Sequence, residues 1–258
     1  MSIAIDRSAW GRLRLTGADR VRFLHGLATV NVEALADGGQ AWGALLSPKG
    51  RVLAVIAVVR AAEHLDVWCE PVLTEKVATH LQRYAVMDEV EFEPRTGPAY
   101  TLWDDAASVW SAPLVDGAAP TPLATAEVEE VLRVEAGWPR YGIDVDEDNF
   151  PFETPLAAWL DYDKGCYVGQ EPVFRVHAKG QASRALRGLR LSGEASVGAT
   201  VVHPERAEAG VVRSVVTSPR LGPIALAYLH RTAAAIGDEV TVNGHAAVVT
   251  DLPFPQAP

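Results

Sequence analysis

Lys164-Gly165-Cys166-Tyr167-Val168-Gly169-Gln170-Glu171 is the most informative stretch of this 258-residue chain. It sets one of only two cysteines between glycines, beside a lysine and an aromatic ring. A free cysteine is most often a small buried hydrophobe. These neighbours argue for chemistry instead. Lys164 would favour thiolate over thiol, and the glycines let backbone or a bound molecule approach the sulfur. Cys166, Lys164 and Tyr167 are therefore the candidate reactive group, with Gly165, Gly169, Gln170 and Glu171 shaping the loop.

Outward from the loop, a helix is expected to begin near Pro172, whose ring is tolerated in a first turn. From Lys164 to Arg190 six basic residues, Arg175 and Arg184 among them, face the single acid Glu171. The whole chain carries a net charge of −10, so this local excess reads as a patch for a small polyanion rather than for nucleic acid. Upstream, Ala126 to Ala136 has helical spacing and Gly137 as its stop. Trp138 to Pro155, rich in acids and prolines, should run extended over the surface. The segment from Trp103 to Thr125 reads as a loop.

The amino-terminal half alternates in a different way. Leu13 to Thr16 is a strand ending at Gly17, followed by a helix carrying Val21, Phe23, Leu24 and Leu27. Arg51 to Arg60 is apolar throughout, short and β-branched, as a central strand should be. His64 to Glu70 is its hairpin partner, with Cys69 in the core. Pro71 opens a helix through Tyr84, and Val90 to Glu93 is another strand. This order favours a mixed antiparallel sheet covered by helices. From Ser183 short alternating strands, with a hairpin turn at Asn243-Gly244, indicate a small all-β unit.

Hydrophobic residues make up 48% and charged residues 22%, the balance of a soluble globular protein. No run approaches the ~18 apolar residues of a membrane helix, and no secretory signal is visible. Two isolated cysteines argue against a disulfide framework and fit a reducing cytoplasm. The histidines lack metal spacing, so no metal site is expected.

Lys-Gly-Cys-Tyr-x-Gly-Gln-Glu resembles the signature of the YgfZ family of folate-binding proteins. These are relatives of the glycine-cleavage T-protein, an aminomethyltransferase, and are linked to maintenance of iron–sulfur enzymes. The likeness extends along the chain. Trp10 with Leu15-Thr16-Gly17-Ala18-Asp19 and Phe23 to Leu27 looks like the family's opening strand and helix. Lys49-Gly50-Arg51-Val52, Arg133 to Pro139, Gly210 to Ser214 and Ala225 to Tyr228 are similar to later blocks.

The resemblance implies an α+β, aminomethyltransferase-like fold. Its units form a ring around a central hole that holds tetrahydrofolate or a one-carbon derivative. Residues 1–50 with 106–182 would form the first unit, 51–105 a second, ferredoxin-like unit, and 183–258 a C-terminal β-barrel. It also implies that Glu135 grips the pterin ring, since a carboxylate accepts two parallel N–H bonds. Trp10 would stack on the heterocycle, and Arg175 and Arg184 are candidates for the folate tail. Leu53 and Ala54 stand where aminomethyltransferases carry an acidic pair, and neither can move a proton. Glu129 occupies a place where some YgfZ proteins have a second tryptophan. The implied function is a folate-dependent accessory role towards client iron–sulfur enzymes, exercised through Cys166. A one-carbon transferase and a ligand-free scaffold are the alternatives.

Overall fold

A computed structural model describes residues 3–105, 108–120, 122–179 and 182–255. Strands β1 (Ile3–Asp6) and β2 (Gly11–Thr16) lead into helix α1 (Arg20–His25). Then come β3 (Gln40–Leu46), β4 (Val52–Arg60), β5 (Leu65–Cys69), α2 (Thr74–Tyr84), β6 (Glu91–Arg95), β7 (Ala99–Trp103) and β8 (Leu114–Asp116). Helices α3 (Ala126–Ala136) and α4 (Gln170–Lys179) bracket the segment that carries the cysteine loop. Strands β9 (Arg184–Leu191), β10 (Thr200–His203), β11 (Arg206–Ser218), β12 (Gly222–His230), β13 (Glu239–Val242) and β14 (His245–Thr250) follow.

The uninterrupted apolar run of β4 has a simple cause. It lies inside an antiparallel sheet of order β3-β4-β5-β2-β6, buried on both faces. Ala54, Ile56 and Val58 join one core with Phe23 and Leu24 of α1 and Val77 and Leu81 of α2. Val55 and Ala57 point the other way, into a core built on tryptophans and closed by Ala136, Leu156 and Val173. Burying a side chain of this kind is worth about 1.5–3 kcal/mol, so the doubly covered strand anchors the half. Cys69 belongs to the first core, and burial pushes its thiol up to about 12.

A second sheet, β1-β7-β8, packs against the tryptophan face. The carboxy-terminal strands close into a six-stranded barrel of order β10-β11-β12-β9-β14-β13. Its β13–β14 turn has both Asn243 (φ 50°) and Gly244 (φ 82°) left-handed, the geometry of a two-residue hairpin. The architecture is thus α+β with mainly antiparallel sheets, helices and a terminal barrel.

Several expectations need correction. A boundary at residue 50 would cut through hydrogen bonds, because β2 and β3 share one sheet with β4, β5 and β6. Residues 103–125 are not simply a loop, since β8 pairs with β7. Residues 138–155 do not run over the surface: Asp144, Val145, Asn149 and Glu153 are all buried. Pro71–Leu73 forms a 3-10 turn ahead of α2, where one helix was expected. Among the described residues no helix is long and apolar enough to cross a membrane.

Candidate functional site

A cavity of about 620 Å³ opens at the end of the five-stranded sheet where β2 begins and β5 ends. Its walls are aromatic: Trp10, Trp42, Trp103, Trp138 and Tyr141 all line it. Arg7 lies 4.7 Å from the centre of the Trp10 ring and 5.1 Å from that of Trp103, a doubly stacked guanidinium. The same guanidinium donates to Glu129 at 2.8 Å. Two polar atoms of the lining, Thr101 Oγ1 and Trp42 Nε1, are buried without a hydrogen-bond partner in the protein. Flat apolar walls with unused polar atoms suit a planar, heteroatom-rich ring.

Glu70 is the residue that sequence reasoning missed. The register pairs Gly11 with Cys69, so the chains leave the sheet at Trp10 and Glu70, side by side at the cavity. Its Oε1 accepts a weak bond from the Tyr141 backbone N–H at 3.4 Å. Burial pushes this carboxyl up to about 7, against the pull of that bond and of Arg140, Arg133 and Arg7. The only signal in the sequence was an acid between an alternating apolar strand and a proline.

Glu135, by contrast, does not line the cavity. It is 3% exposed, accepts from Ser218 Oγ, and is held by Arg220 at 2.6 Å. With one bond from the barrel on each carboxylate oxygen and a place outside the cavity lining, Glu135 is not positioned to grip a ring bound there, which corrects the expectation. Leu53 and Ala54 pack in the first core and do not line the cavity either.

The cysteine loop lies elsewhere. Cys166 is exposed, but it lines neither this cavity nor the neighbouring open groove. That groove, of about 890 Å³, is edged by Asp161, Tyr162 and Asp163 at the start of the loop and shares Trp42 with the cavity. The Lys164 side chain turns inward. It is buried, and its ammonium donates to the carbonyls of His25 and Ala28 at 2.6 Å and of Val30 at 2.8 Å. These lie at and beyond the end of α1, where helix carbonyls lack partners. Burial pulls the ammonium's pKa down to about 8.

Tyr167 turns inward as well. Its ring is buried under the Lys164 ammonium, 5.1 Å away, and burial pushes the phenol up to about 12. Gln170 accepts from the Tyr167 N–H at 3.3 Å. Gly169 is required: at φ 82° a Cβ would stand 2.4 Å from the Ser47 carbonyl oxygen. Gly165 meets no such demand, its nearest neighbour being 3.8 Å away at His25. Glu171 is exposed and pairs with Arg175 at 2.7 Å, one turn along α4. Arg184 binds Glu153 and the Asp148 carbonyl beside the barrel. Neither arginine lines the cavity, so the expected basic patch for a folate tail is dispersed. Among the described residues no three His, Cys, Asp or Glu converge to hold a metal ion.

Comparison with known proteins bears on the fold and the family. Residues 184–255 match the family model of the glycine cleavage T-protein C-terminal barrel domain. The structure resembles the crystal structure of glycine cleavage system aminomethyltransferase T from Bartonella henselae, with a TM-score of 0.83 at 19% identity. That likeness covers 98% of this chain and 86% of the other. The fold is therefore that of aminomethyltransferase T. The chain is also 31% identical, over 248 residues, to the aminomethyltransferase of Synechococcus sp. (strain RCC307), covering 86% of this chain and 67% of that one. It belongs to the aminomethyltransferase family. The tRNA-modifying protein YgfZ of Hamiltonella defensa subsp. Acyrthosiphon pisum (strain 5AT) is 26% identical over 226 residues, covering 70% of this chain and 67% of the relative. Several other aminomethyltransferases are about twice as long as the matched region, which spans 48, 45 and 43% of them.

Proposed function

We propose that this chain binds tetrahydrofolate or a one-carbon derivative in the tryptophan-lined cavity and acts as an accessory protein, in the manner of YgfZ. The observation that carries the reading is the cavity itself, lined by four tryptophans, two residues with unused polar atoms and Glu70. Aminomethyl transfer of the ordinary kind is disfavoured because Leu53 and Ala54, standing where the relatives carry an acidic pair, offer no acid. Bound folate would supply the one-carbon unit or a reduced ring. The chain's own residues would orient the ring between Trp10 and Tyr141 and exclude water from it.

Four of the seven tryptophans line the cavity, so binding should be visible in fluorescence. Tetrahydrofolate is expected to quench the emission and, at a hundred times its Kd, to add about 2.7 kcal/mol of stability through linkage. Trp10→Ala should weaken binding about tenfold, since stacking of this kind is worth about 1 kcal/mol or more. No quenching and no rise in Tm at millimolar folate would end the folate reading.

The second half of the proposal concerns Cys166. We place it as the thiol that acts on client iron–sulfur enzymes, because it is exposed on a loop pinned from beneath by Lys164 and Gly169. Cys166→Ala is expected to leave folate affinity unchanged and to abolish support of iron–sulfur enzyme activity in cells lacking the protein. Normal cluster enzymes in cells carrying only the alanine variant would remove the thiol from the mechanism.

A further inference from the structure

The cavity holds more charge than a pocket for an apolar ring would need, and the charges are unevenly matched. Arg133 is fully engaged with Glu130, Asp144, Ser214 and the Trp138 carbonyl. Arg140 donates to Glu130 at 2.8 Å, and Arg7 holds Glu129. Of the three carboxylates that line the cavity, Asp6 is exposed and takes the Ser8 N–H at 2.8 Å. Glu129 is ion-paired. Among the described residues, Glu70 alone of these combines partial burial with the lack of any ion pair, and one weak backbone bond leaves most of its acceptor capacity free.

We infer that Glu70, set beside Trp10 by the strand register, is the carboxylate that takes the paired N–H edge of the heterocycle, and that binding there expels a proton from it. This deepens the folate reading and rests on it. The chemistry asked of the ligand is specific: a flat ring with two adjacent N–H donors, as in the 2-amino-4-oxo edge of a pterin. Such an edge needs an ionised carboxylate. Without ligand, burial holds the Glu70 carboxyl at about 7, so near neutrality a good fraction is protonated. The donor edge favours the charged form, and the displaced proton goes to buffer.

The groups facing Glu70 do not supply this proton equally well. Asp6 approaches from the end of β1 and Arg7 from the turn after it, Glu129 and Arg133 from α3, and Arg140 and Tyr141 from the loop beyond it, with Cys69 behind on β5. The arginines stay charged, burial pushes the Cys69 thiol far above neutrality, and Asp6 is held low by Ser8.

The test is calorimetric titration of the full chain with tetrahydrofolate at pH 7 in phosphate and in Tris, whose ionisation heats differ. Release of about half a proton per folate is expected, with affinity rising about tenfold between pH 6 and pH 8. Glu70→Gln should abolish the proton release and flatten the pH profile, while Glu70→Asp should keep both in weakened form. Glu135→Gln should keep the release intact. A wild type that binds folate with no proton exchange and a flat profile would overturn this inference but spare the folate reading. Proton uptake would overturn it equally. Absence of any binding by wild type would remove both. If Glu70→Gln fails to fold, the wild-type proton count and the aspartate variant still decide.

Discussion

Replacing Arg133 by methionine is expected to destabilise the protein by about 3–5 kcal/mol, the cost of stranding a buried partner charge. Arg133 is 2% exposed and Asp144 0%, so neither can fall back on water. The guanidinium donates to Asp144 at 2.7 Å, to Ser214 Oγ at 2.8 Å and to the Trp138 carbonyl at 2.6 Å, with Glu130 taking a two-pronged contact. Ser214 in turn donates to Asp144 at 2.7 Å. Because Ser214 lies on β11, the network joins α3 and part of the cavity lining to the barrel. Lysine should not rescue, since one ammonium cannot reproduce the planar fork. Arg133→Met combined with Asp144→Asn should cost less than the two single changes summed, because the orphaned charge is gone. Urea unfolding of the four proteins checks this. An unchanged midpoint for Arg133→Met would show that the network contributes little.

Sequence reading succeeds where burial or a turn marks neighbouring residues. The run Arg51 to Arg60 is legible because burial on both faces leaves a continuous apolar signature. The helix ending at Gly137 is legible because its left-handed stop (φ 69°) is local. The barrel announces itself through alternation and Asn243-Gly244. What was lost depends on distance along the chain. The sheet β1-β7-β8 pairs Ile3 with Trp103, and strands of three to five residues carry too little periodicity to show it. Glu135 looked free on its helix, yet its partners Ser218 and Arg220 come from the barrel.

The site divides along the same line. Trp10 could be named from the opening strand, and its place in the cavity follows from the strand's end. Glu70 could not, since its importance arises only when β5 pairs with β2 and three arginines converge from separate segments. Arg175 and Arg184 looked like a basic patch with Lys164, but helix, barrel and interior point them in three directions. Closeness in sequence misled most at Lys164 and Cys166. Two residues apart, one side chain turns inward and the other outward.

Lys164→Met is accordingly expected to destabilise the chain by at least about 3 kcal/mol, with the effect concentrated in the cysteine loop. Three carbonyls, those of His25, Ala28 and Val30, would lose their donor at once, and a buried acceptor left unpaired costs about 1–3 kcal/mol. Arginine is a poor replacement, because its donors fan out in a plane while these acceptors converge on a point. The loop is tied at its far end by the Val168 N–H on the Gly26 carbonyl at 3.1 Å, so the lysine fixes the near end. Losing it should speed amide exchange across residues 161–168 more than in the barrel. The rival view, an ammonium that activates the sulfur, predicts a different pattern. The methionine variant would then keep its stability and simply alkylate more slowly at Cys166. Equal unfolding midpoints with a slowed thiol would therefore restore Lys164 to the chemistry. A lowered midpoint with a loosened loop makes it the clamp that holds Cys166 out for a partner to reach.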